Sequence, residues 1–80
     1  MSEVEYRARR YGSTVPTGRE DRIIELVAEG LRNAEIADRI GTTEHVVKNY
    51  LRVIFDKLGV RTRLELALWH QRRRPEGDIE

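Results

Sequence analysis

Three glycines, Gly30, Gly41 and Gly59, each follow a run of apolar residues at helical spacing, and they cut the chain into short helices. Glycine takes the left-handed backbone that ends a helix without a Cβ penalty. Cap residues stand at the other ends. Thr17 and Glu20 form a capping-box pattern, and Thr62 and Glu65 form another. Asn33 and Thr43 are placed to cap the two segments between. Ile23, Ile24, Val27 and Leu31 mark one apolar stripe, and Ile36, Ala37 and Ile40 a second. The third is Val46, Val47, Tyr50, Leu51, Ile54, Phe55 and Leu58; the fourth is Leu64, Leu66, Ala67, Leu68 and Trp69. Helices are therefore predicted over about 18–29, 34–40, 44–58 and 63–73. No alternating stretch is long enough for a strand, so the class is all-α with four helices.

Eighty residues leave room for one core, and a domain this small buries its own surface only marginally. A flexible N-terminal arm is expected over 1–15, the folded domain over 16–73 and a tail over 74–80, beyond the arginine run of Arg72, Arg73 and Arg74. The absence of cysteine removes disulfides, zinc fingers and thiol nucleophiles. His45 and His70 are far apart and belong to no ligand-spaced cluster, so neither a metal nor a cofactor is expected. No apolar run approaches the length of a membrane span, and the polar start MSEVEYRARRYGS is no signal peptide. A cytoplasmic protein that does not engage a membrane is the expectation. No carboxylate pair, nucleophile–base set or phosphate loop stands out, so it is not expected to be an enzyme.

The net charge of +1 is uninformative, but its distribution is not. Residues 18–41 carry four basic against six acidic side chains; residues 43–63 carry five basic against two. The basic stretch coincides with the third helix. That helix is joined to the second by about three residues around Gly41, the hallmark of a helix-turn-helix. In such a pair the second helix enters the major groove. Its outward face near the N-terminus would be Glu44, His45, Lys48, Asn49 and Arg52. Lys48 and Arg52 can bond guanine or phosphate, and Asn49 can pair with adenine. His45 can donate to phosphate, and Glu44 can accept from cytosine. An ordinary solvated helix face would carry similar residues, and the pattern alone leaves both readings open.

The order of segments goes further. Thr17-x-Arg19-Glu20, LVAEGLRNAEIA at 26–37, VVKNYL at 46–51, KLGV at 57–60 and RLELAL at 63–68 follow in register without a gap. In this the chain resembles the LuxR-type DNA-binding domain, also called the GerE or NarL/FixJ type, over about Val15 to Trp69. The resemblance implies four helices, with the third as recognition helix and the fourth as dimer contact. It implies DNA contacts at Lys48, Asn49 and Arg52, with Thr43, Glu44 and His45 near the cap. Arg32 and Asn33, at the start of the second helix, join that set. It also implies that Glu20 pairs internally, here with an arginine such as Arg63. Some positions depart from the family pattern: Val46 for threonine, Ala34 for a basic residue, Arg32 for serine, Tyr50 for histidine and Thr42 for an apolar residue. Val46 and Ala34 each remove a phosphate contact, which would weaken binding and flatten its salt dependence.

A dimer seam on the fourth helix is expected to use Leu66, Trp69, His70 and Arg73. The Arg7, Arg9 and Arg10 arm could reach along DNA or simply solubilise the chain. The initial methionine and the short coherent reading suggest a stand-alone effector, a homodimer on double-stranded DNA that could also touch RNA polymerase. The alternative is a protein-interaction module contacting RNA polymerase or another regulator through the fourth helix.

Overall fold

The computed structural model describes residues 1–73. Within them the chain is all-helical: α1 (Glu3–Tyr11), α2 (Gly18–Ala28), α3 (Asn33–Ile40), α4 (Glu44–Leu58) and α5 (Arg63–Arg73). Arg74 and the expected tail lie outside the described residues.

The four expected helices occur as α2 to α5, each within a residue or so of its anticipated bounds. Their starts follow from capping. Glu20 N–H donates to Thr17 Oγ1 at 3.2 Å, and Thr17 N–H donates back to Glu20 Oε1 at 2.9 Å. Thr43 Oγ1 accepts from Val46 N–H at 3.3 Å at the head of α4. On α5 the expected box is split. Glu65 N–H donates to Thr62 Oγ1 at 3.0 Å, but the Glu65 carboxylate accepts from Arg61 N–H at 2.7 Å rather than from the cap itself. The cap of α3 also shifts by one. Arg32 is the cap, its N–H donating to Glu35 Oε1 at 2.7 Å, and Asn33 is already the first helical residue.

α2 is the central strut. It packs against α5, α4 and α3. The core combines Ile23, Ile24, Leu26 and Val27 of α2, Ile36 and Ala37 of α3, Val47, Leu51 and Ile54 of α4, and Leu66 of α5. Leu31, Ile40, Tyr50, Phe55, Leu58, Val60 and Trp69 close over it, half-buried. One ion pair lies inside this shell. Lys57 Nζ donates to Glu20 Oε1 at 2.9 Å, with both side chains under a tenth exposed. It ties the first turn of α2 to the last turn of α4. The arginine partner expected for Glu20 is thus corrected. Arg63 instead donates to Asn33 Oδ1 and to the Leu31 carbonyl, both at 2.6 Å, and so clamps the α2–α3 turn.

The expectation of a flexible arm over 1–15 is corrected by α1. Ser2 and Glu5 form a reciprocal capping box, with bonds of 3.1 and 2.8 Å, and Gly12 ends the helix at φ +79°. α1 packs against α4. The Arg7 guanidinium lies over Gly59, so close that a Cβ there would meet Arg7 at 2.9 Å. Gly59 also sits at φ +73°, so it serves both the end of α4 and the docking of α1. No residue of α1 is fully buried, and Val4 and Tyr6 remain about half exposed. The helix therefore rests on its caps and on contacts made only in the folded chain. Its local signals are the same kind as those of the other helices: the Ser2–Glu5 box, Val4, Ala8 and Tyr11 at helical spacing, and the Gly12 stop.

Candidate nucleic-acid interface

Three residues, Gly41, Thr42 and Thr43, separate α3 from α4. Gly41 turns the chain at φ +75°, and Thr42 N–H donates to the Ala37 carbonyl at 2.9 Å. Thr43 then caps α4. The two helices pack directly on each other, the arrangement of a helix-turn-helix.

Periodicity divides α4 cleanly. Val47, Leu51, Ile54 and Lys57 point inward and are buried. Glu44, His45, Lys48, Asn49 and Arg52 are all exposed, on one side of the helix. The structure thus brings together the five side chains singled out on this helix, with the exposed Thr43 at their base. Arg32 is exposed at the start of α3. Asn33 is different: half-buried, with its amide oxygen held by Arg63. Its side chain is thus engaged within the fold. Val46 is also half-buried. With Glu20, Asn49, Tyr50 and Val53 it lines a shallow recess of about 260 Å³ beside the exposed face.

The same polar ridge continues one turn further, to Asp56, which the sequence reading left out. The Tyr11 hydroxyl donates to Asp56 Oδ2, and Arg10 Nε lies 3.7 Å from that oxygen. The bond to Asp56 pushes the Tyr11 phenol above its ordinary range, since ionising it would set two anions together.

On α5 the expected seam residues divide: Leu66 is buried, Trp69 and His70 are half-buried, and Arg73 is exposed. Leu66 has no exposed surface, because it fills the core against α2, and it is removed from the seam. Trp69 packs against the same core, with the Arg73 guanidinium 4.6 Å from its ring centre. Arg73 reaches Asp21 on α2 and donates through Nε to His70 Nδ1 at 3.4 Å. Leu64 and Leu68, one turn apart, are the apolar side chains that α5 shows to solvent, at 69% and 38%. Their i, i+4 spacing was visible in the sequence; which of the two apolar sides met α2 was not.

Among the described residues no helix is long and apolar enough to cross a membrane. The short turn, the packed α3 and the exposed polar face of α4 define a helix-turn-helix domain. The sequence model described as "Bacterial regulatory proteins, luxR family" matches residues 15–70. The chain belongs to that family, one of DNA-binding transcription regulators. It is 40% identical over 65 residues to the DNA-binding transcriptional activator DevR/DosR of Mycobacterium tuberculosis, covering 78% of this chain and 30% of that protein. It is 41% identical over 58 residues to the nitrate/nitrite response regulator protein NarL of Escherichia coli, covering 71% of this chain and 27% of that one. The transcriptional regulatory protein DesR of Bacillus subtilis matches at 41% over 49 residues, 61% of this chain and 25% of its own length. The chain thus spans less than a third of these relatives.

Proposed function

We propose that this domain binds double-stranded DNA sequence-specifically as a homodimer and regulates transcription, with α4 in the major groove. The observation that carries the reading is the exposed row of Lys48, Asn49 and Arg52 on the second helix of a three-residue turn. Lys48 and Arg52 supply cations for guanine or phosphate, and Asn49 supplies the donor–acceptor pair that adenine presents. His45, Glu44 and Thr43 flank them at the end of the helix that goes deepest into the groove. Arg32 stands where it can hold the adjoining backbone. The relatives are named as transcription regulators, which supports the same role. A bacterial DNA partner implies a cytoplasmic location.

Dimerisation through the Leu64–Leu68 side of α5 would hide the apolar surface this helix leaves exposed. A two-fold pair of domains reads an inverted repeat, its half-sites about one helical turn, roughly 34 Å, apart.

The test is a pair of substitutions titrated against a preferred duplex and a scrambled one. Lys48→Ala is expected to weaken both and to reduce the salt slope by about one. Asn49→Ala is expected to cost about 1–3 kcal/mol on the preferred duplex and little on the scrambled one. Unchanged affinity in both variants would remove α4 from the groove.

A further inference from the structure

The exposed face of α4 ends on Asp56, one turn beyond Arg52. If the N-terminal half of α4 meets the bases, its C-terminal half rises toward the flanking phosphates. A carboxylate there opposes binding. Asp56 is not bare, however. Arg10 and Tyr11 of α1 both engage Oδ2, and Arg10 is itself steadied by the Tyr11 and Tyr6 hydroxyls at 3.1 and 3.3 Å. Arg9 is exposed and sits on the other side of α1, away from Tyr11. Arg10 and Asp56 are each more than half exposed, so their pairing adds little to folding.

We propose that α1 is part of the DNA interface, where Arg10 and Tyr11 mask Asp56 so that the recognition face does not end on an open negative charge. The proposal rests on α4 being the DNA-reading helix. Arg10 acts through Asp56, as a positioning cation, and not by gripping a phosphate of its own.

The test uses the 80-residue chain and a fluorescein-labelled duplex carrying the inverted repeat selected from random duplexes. Binding is read by anisotropy, and folding by far-UV circular dichroism. Arg10→Ala is expected to weaken binding by about three- to tenfold at low salt, with the loss fading as salt rises. Arg9→Ala, which removes the same charge from the far side of α1, is expected to change it by less than about twofold. Tyr11→Phe keeps the ring and loses only the donor, and should move binding in the same direction as Arg10→Ala. The decisive arm is Arg10→Ala combined with Asp56→Asn: with no charge left to mask, binding returns to at least the wild-type value. Equal losses from Arg9→Ala and Arg10→Ala overturn the proposal, as does an Arg10 loss that persists beside Asp56→Asn. Wild-type protein that binds no duplex overturns the reading beneath it, which is a separate and recognisable failure.

Discussion

Lys57→Ala is expected to cost the domain about 3–5 kcal/mol, because it strands the Glu20 carboxylate inside the protein. A chain of this size holds only about 5–10 kcal/mol in total. Each kcal/mol shifts the melting temperature of a small domain by about 4–8 °C, so a fall of roughly 12 °C or more is expected. The penalty belongs to the unpaired charge and not to the lost attraction. A double variant, Glu20→Gln with Lys57→Met, therefore recovers most of the loss. Glutamine can still accept from Thr17 N–H as glutamate does, and methionine fills the lysine stem with no charge. Thermal and urea unfolding of the three proteins measure this. A Lys57→Ala cost below about 1 kcal/mol would mean that water reaches Glu20 and that the pair is not truly buried.

Leu66→Ala separates a core position from a dimer seam. Leu66 lies wholly inside, against α2, so its truncation should open a cavity and cost about 2–5 kcal/mol. The loss should be the same at every protein concentration, since it arises within one chain. Leu64→Ala and Leu68→Ala, on the exposed side of α5, should each change monomer stability by about 0.5 kcal/mol or less. Their effect should appear as weaker self-association in sedimentation. The reverse pattern, an inert Leu66→Ala and a destabilising Leu64→Ala, would mean that α5 is rotated about its axis.

These two cases also mark what could be read in the residues. The helices α2 to α5 were legible because each carries local signals: Thr17 with Glu20, Thr43, Thr62, and the glycines that follow. The exposed set on α4 was legible because one strong apolar stripe, Val47 to Leu58, leaves its opposite side to solvent. Where both sides of a helix are apolar, as with Leu64 and Leu66, periodicity cannot say which meets the core. Partners distant in sequence were equally hidden. Glu20 finds Lys57 instead of an arginine, and Arg63 finds Asn33, because packing sets those distances. α1 carried comparable local signals, the Ser2–Glu5 box and Gly12, that were passed over at the chain terminus; what the sequence could not show is that it docks on α4, where Arg7 lies over Gly59.

Whether the face of α4 reads DNA is decided by titrating purified protein with random duplex DNA over a salt series and then selecting preferred sites. Tight binding is expected at about 50 mM salt, falling steeply as salt rises, with an inverted repeat enriched by selection. Failure to bind any duplex at that salt would contradict that role of α4.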